Sequence, residues 1–208
     1  MPESIETYAA RLAAAAGPDG RPVLDVDGMV SWDVFPFEAD GLRAKAFEPL
    51  AEEEPGRMGD DPATCALGDC PGERSGGWQV VWTDDRWQLK VPPPSGLPSV
   101  LVLEPLAHVD LTELPDELAA EMGRLMVVIA KSVEALPTVA RCHVMRIGDG
   151  AVHLHLWFLG RPARLPQFRG SYNVVWDDIA PAIPVEVRDE NAAFVVDRLV
   201  AAYGGRRA

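Results

Sequence analysis

The chain has 208 residues, a formal net charge of −13 at pH 7 and 48% hydrophobic residues, values that suit one main soluble domain with a core of ordinary size. The negative charge repels phosphate backbones and anionic lipid, which argues against a nucleic-acid binder or a membrane-surface protein; a locally positive pocket for a small phosphorylated ligand stays open. No apolar stretch approaches the ~20 residues needed to cross a bilayer.

The opening "MPESIETYAARLAAAAG" carries Glu3 and Glu6 and no basic leader before an apolar block. It reads as a short helix rather than a signal peptide, and a cytoplasmic location is expected. Three cysteines in such a chain argue against a disulfide framework and leave reduced thiols or metal ligands. Turn residues and short β-type runs around Trp32 and Phe35 suggest one or two strands. "EPLAEEEPGRMGDD" from Glu48 to Asp61 is acidic and poor in apolar residues, as a solvated linker would be.

"GWQVVWTDDRWQLKVPPP" holds two β runs, 78–83 and 86–91, bent at Asp84-Asp85, and "PSVLVLEPLAH" adds an apolar strand from Ser99 to Glu104. In "LTELPDELAAEMGRLMVVIAKSVEALP", Leu118, Met122, Leu125, Met126, Ile129 and Val133 recur at helical spacing until Pro137 stops them. "VARCHVMRIGDGAVHLHLWFLG" reads as two strands turning at Gly148-Asp149-Gly150. Alternation then puts His153, His155, Trp157 and Leu159 on one face and Val152, Leu154, Leu156 and Phe158 on the other. His143 lies opposite His155 if the turn has three residues, whereas Val144 does if it has two. The remainder is proline-rich and irregular, with a last helix over Asp189 to Tyr203.

Strand, strand, a strand ending in Pro105-x-x-His108, a long helix, and a strand with His153-Leu154-His155-Leu156-Trp157-Phe158-Leu159 together resemble the histidine-triad superfamily of nucleotidyl hydrolases and transferases. The resemblance covers about residues 62–162. It implies an α+β fold, an antiparallel sheet with one long helix packed on it, preceded by an extension over 1–61 and followed by a tail with a final helix over 163–208. It also implies hydrolysis or transfer at the α-phosphate of a nucleotide conjugate, with His155 as nucleophile, His153 and His108 beside it, and a homodimer as the assembly. A neutral imidazole suits that task because it attacks phosphorus and departs again readily, provided its other ring nitrogen is tied to an acceptor.

The chain departs from the pattern in three places. Trp157 stands where the family has a third histidine, and indole donates one hydrogen bond and accepts none. Pro92 falls near the position of the family's ribose-binding acid, and the polar residues that precede the triad in many members are absent from "MRIGDGAV". By the same resemblance, Cys65, Cys70, His108 and His153 correspond to a zinc site, closed and structural in character. Against it stands the reading of two free cysteines in a polar loop. The departures favour an alternative function, a zinc-stabilised binding or interaction module without catalysis. A third reading takes His143, His153 and His155 as an open metal site on a β-barrel, as in cupin-like enzymes. Arg161, Arg164 and Arg169 follow the histidine strand, and Arg161 and Arg169 are candidates to hold phosphate. Cys142 reads as a small buried hydrophobe.

Overall fold

The computed structural model describes residues 2–18, 53–71 and 77–208. The strands expected around Trp32 and Phe35, and the start of the acidic linker, lie outside the described residues.

A helix α1, Ile5–Ala15, comes first; the side chain of Ser4 caps it by accepting from Thr7 N. Among the described residues six strands then form one antiparallel sheet: β1 Gln79–Thr83, β2 Trp87–Val91, β3 Val100–Pro105, β4 Val139–Met145, β5 Leu156–Pro162 and β6 Arg206–Arg207, ordered β4-β5-β3-β2-β1-β6. Asp84 makes the first bend, its Oδ1 accepting from the backbone N–H of Arg86 at 2.8 Å and of Trp87 at 2.7 Å, which is how Asp favours a turn. Helix α2, Asp116–Glu134, joins β3 to β4, with Asp116 and Glu117 in its first turn, where acids complement the helix dipole. Helices α3, Tyr172–Ile179, and α4, Val185–Ala202, follow β5.

Alternation along the strands sorts two cores. Leu89, Leu101, Leu103, Leu156 and Phe158 face α2, which contributes Leu125, Ile129 and Val133, all buried. Helix α4 supplies Ala192, Val195, Val196 and Leu199 to this same core, so the C-terminal segment packs as part of the sheet's main layer. Its helix begins at Val185, four residues before the expected start, because Pro184 ends the irregular stretch and a helix tolerates proline at its entry. The other face carries a smaller cluster of Leu97, Val100, Leu159, Phe168 and Ala180, against which Leu12 of α1 and Trp176 of α3 pack. Tyr8 Oη pins α1 down by donating to Gly96 O at 2.7 Å. Helix α3 was not expected in the proline-rich remainder; it forms where Tyr172 to Ile179 lacks proline.

The expected tight hairpin between β4 and β5 does not form. Met145 pairs with Trp157 and His143 with Leu159, leaving residues 146–155 as a long connection between the strands. Its backbone groups are engaged elsewhere: Met58 N donates to Gly150 O at 3.1 Å, Val152 N to Met58 O at 3.0 Å and Leu154 N to Val109 O at 2.8 Å. Residues 153–155 therefore lie outside the strand. Among the described residues no helix is long and apolar enough to cross a membrane.

Two measurements check this packing. Leu199→Ala removes a fully buried side chain from the main core and is expected to cost about 2–5 kcal/mol in urea unfolding, where a peripheral tail helix would lose almost nothing. Asp178 is held up to about 6 by burial and by the neighbouring Asp177. The folded chain then binds this proton more tightly than the unfolded one between about pH 4 and pH 6, so stability falls as pH rises through that window. Asp178→Asn is expected to raise Tm at pH 7.5 and leave it unchanged near pH 4.

Candidate metal centre and histidine pocket

A 3-10 turn over Pro62–Thr64, capped by Asp61, delivers Cys65. The loop then folds back at Gly68, whose φ of +56° suits glycine, so that Cys70 N donates to Leu67 O at 3.1 Å. Asp69 N donates to Leu106 O at 2.9 Å and docks this loop on the end of β3. His108 follows Pro105 at the same end, and His153 arrives from the 146–155 connection.

There the four side chains meet. One ligand atom each from Cys65, Cys70, His108 and His153 lies within 4.8 Å of the others. Cys65 Sγ is 3.5 Å from His153 Nδ1, and Cys70 Sγ is 3.3 Å from His108 Nδ1 and 3.5 Å from His153 Nδ1. Thiolate and imidazole ligands at tetrahedral corners of a metal ion would stand about 3.6 Å apart, given bonds near 2.3 and 2.05 Å. The cluster therefore has the dimensions of a closed four-ligand metal site. His153 Nε2 lies 2.8 Å from Pro105 O; donating there leaves the Nδ1 lone pair aimed at the cysteines. Burial lowers the pKa of His153 and keeps it neutral, as a ligand must be. Burial also pushes the Cys70 thiol up to about 11 in the metal-free protein, so binding a cation would release protons.

His155 has a different setting. Its Nδ1 lies 2.9 Å from His153 O, which places the proton on Nδ1 and leaves Nε2 as the basic nitrogen. The ring borders a cavity of about 440 Å³ whose walls include Trp157, Trp78, Lys90, Val102 and Glu104. The registers Val80↔Lys90, Lys90↔Val102 and Val102↔Trp157 set Val80, Lys90, Val102 and Trp157 in one row across four strands. Trp78 meets Trp157 edge to face, their ring centroids 5.7 Å apart. Asp110 ties two segments together, accepting from Arg57 Nη1 at 3.1 Å and from Arg146 Nη2 at 2.5 Å, while Arg57 also donates to Gly148 O at 3.0 Å. Burial raises the Asp110 pKa, but the bonds from Leu111 N and the two arginines outweigh it and hold it below the usual range.

The structure thus divides the expected catalytic set. His108 and His153 join the cysteines, and their rings lie 5.4 Å apart, while His155 alone of the three borders this cavity. The single shared face expected for His153 and His155 is not observed, because residue 153 precedes the strand. Arg161 sits opposite Arg141 and donates to Pro162 O. Six residues of extended chain, roughly 20 Å, separate it from His155, so the expected phosphate role finds no support in its position. Arg169 lies further on, beyond β5, and Arg164 pairs with Glu6 on the surface. His143, opposite Leu159, lies outside the four-ligand cluster, and the sheet is open rather than a barrel; the cupin-like reading is overturned. Burial pushes the Cys142 thiol up to about 12, which makes it a poor nucleophile. Lys90 and Glu104 were not anticipated, although charged residues inside "WQLKV" and "VLVLEP" were a visible irregularity in apolar strands.

No protein-family model matches the chain, and a search of curated proteins finds no match. Among solved structures it is similar to a Hit-like protein involved in cell-cycle regulation from Bartonella henselae, at 19% identity over 58% of this chain and 85% of that one, with a TM-score of 0.44. It is also similar to a zinc-bound histidine triad family protein from Mycobacterium smegmatis, at 18% identity over 59% and 84% of the chains and a TM-score of 0.43. A histidine triad protein from Bradyrhizobium japonicum shares 13% identity over 58% and 90%, with a TM-score of 0.48.

Metal content tests the cluster. Elemental analysis of purified protein is expected to give close to one ion per chain, and Cys65→Ser is expected to lose it with a fall in Tm of roughly 10 °C. Gly68→Ala should behave the same way, since an added Cβ would stand 2.5 Å from both His153 Cε1 and Leu106 O. Metal-free protein of unchanged Tm would remove the centre.

Proposed function

We propose that the protein is a histidine-triad-type nucleotidyl hydrolase or transferase, built on a structural Zn²⁺ centre formed by Cys65, Cys70, His108 and His153. One observation carries the reading: His155, which borders a cavity, is tied through Nδ1 to the His153 carbonyl, which leaves the Nε2 lone pair for chemistry. Two thiolates and two imidazoles are a donor set that zinc prefers, and four protein ligands leave no position for reactive water. When bound, the ion would hold the His153 ring in place; the His153 backbone oxygen in turn orients His155.

In the proposed reaction, the Nε2 lone pair of His155 forms a bond to the α-phosphorus, and the bond from phosphorus to the leaving group breaks. The leaving group departs with the electron pair and takes up a proton from solvent. Water, or the hydroxyl of a second acceptor, then attacks phosphorus and loses its proton to solvent as the bond from phosphorus to Nε2 breaks, its electron pair returning to the imidazole. Trp157 lines the cavity, and an indole has a single N–H to donate, less than a histidine that can both donate and accept.

Trp157 and the largely apolar walls favour a second reading, the same zinc-held scaffold acting as a binding module without turnover. Adenosine 5′-phosphoramidate and a dinucleoside polyphosphate separate the two. Turnover by the wild type, with a fall of roughly 10³-fold or more in His155→Ala while nucleotide binding persists, is the expected result. Binding without turnover by the wild type would leave the module reading, and neither binding nor turnover would end the nucleotide reading altogether.

A further inference from the structure

The floor of the cavity beside His155 is polar in a way that the apolar walls do not require. Lys90 and Glu104 form an ion pair there, their side chains 5% and 0% exposed. Glu104 Oε1 is crowded: it accepts from Gly68 N at 3.0 Å, from the Gln88 amide and from the Lys90 ammonium. Its second oxygen, Oε2, is buried and meets no hydrogen-bond partner among the described residues. An ammonium has three protons, and the ion pair with Glu104 leaves others to donate.

Stability does not account for this arrangement. Replacing a buried ion pair by apolar residues of similar volume is commonly neutral or stabilising, and a buried acceptor left empty costs about 1–3 kcal/mol. Val80 and Val102 flank Lys90 in its row across the sheet, so an apolar residue at 90 would extend an existing surface. Among the described residues the pair instead sets an unpartnered carboxylate oxygen beside an ammonium in contact with Glu104, both residues lining the cavity along with Trp78 and Trp157.

We propose that Lys90 and Glu104 are the specificity-determining pair of this cavity, selecting a planar ring that carries a hydrogen-bond donor for Glu104 Oε2 beside an acceptor for Lys90 Nζ, as in an aromatic carboxamide or an amino-substituted heterocycle. A ring with an acceptor alone leaves the carboxylate oxygen empty, and one with a carboxylate of its own meets it as a like charge. The inference rests on the reading of this cavity as the substrate site, and names the chemistry of the substrate's non-reacting end.

The test uses the full chain and two probes of nearly one shape, benzamide, which has donor and acceptor, and acetophenone, which has the acceptor alone. Binding is followed by the shift of tryptophan indole signals in NMR titrations. Benzamide is expected to bind about tenfold more tightly, the scale of one hydrogen bond to a charged group. The double variant Lys90→Met/Glu104→Gln, which removes both charges together and keeps the volumes, is expected to bring the ratio close to one while a melting curve shows it folded. Glu104→Gln alone serves as the second variant and is expected to reduce the ratio. Equal binding of the two probes, failure of both to bind, or a preference that survives in the double variant would overturn the proposal. A clear preference in a protein without turnover of the phosphoramidate would retain the pair's role and reject the nucleotidyl reaction; turnover with equal binding of the two probes would do the reverse.

Discussion

Four side chains from three separate stretches of chain, Cys65 and Cys70, His108, and His153, converge within 4.8 Å, and the geometry beside them follows from that convergence. Each belongs to a segment with little regular structure of its own: a loop between a 3-10 turn and the sheet, the exit from β3, and the connection leading into β5. Segments of this kind hold few backbone bonds and are ordinarily the least stable part of a fold. An ion held by the four side chains would replace the missing ladder by four ligand bonds, and the contacts Asp69 N to Leu106 O and His153 Nε2 to Pro105 O draw the same three segments to one point.

The placement of His155 depends on this anchor. Its ring is oriented by a bond to a backbone carbonyl, and the residue that owns that carbonyl is itself held by its side chain. Had β5 begun at His153, the pleat would have sent both imidazoles to the same face with nothing to separate their duties. The interruption before Leu156 lets one ring turn to the cysteines and the next to the cavity. Two nearby histidines thus come to different surroundings through a local loss of strand geometry, and the same loss lets Gly150 and Val152 bond with Met58.

Much of the sheet and of α2 was legible in the sequence because the relevant signals are local. The apolar run at 100–103 and the helical recurrence from Leu118 to Val133 need no knowledge of the rest of the chain. Cys65, Cys70, His108 and His153 were readable as a candidate ligand set only through resemblance, and spacing alone left two free cysteines equally open. What the sequence hid was decided by distant partners. The hairpin expected at Gly148–Gly150 gave way to bonds with Met58 and Val109, the former some ninety positions away, which no local turn rule can weigh. Helix α4 looked like part of a tail, yet Leu199 and Val195 belong to the main core. Lys90 and Glu104 read as isolated charges in apolar strands; their meeting requires the β2–β3 register, which pairs Lys90 with Val102 and Gln88 with Glu104 and so leaves the two charges diagonal neighbours on one face.

The most direct measurement is X-ray absorption at the metal edge of protein isolated with its native ion. A closed Cys₂His₂ centre predicts two sulfur scatterers near ~2.3 Å and two nitrogen scatterers near ~2.0–2.1 Å, with no water in the shell. A shell of nitrogen and oxygen alone, or protein that holds no metal, would contradict it, and the positioning of His155 through His153 would need another cause.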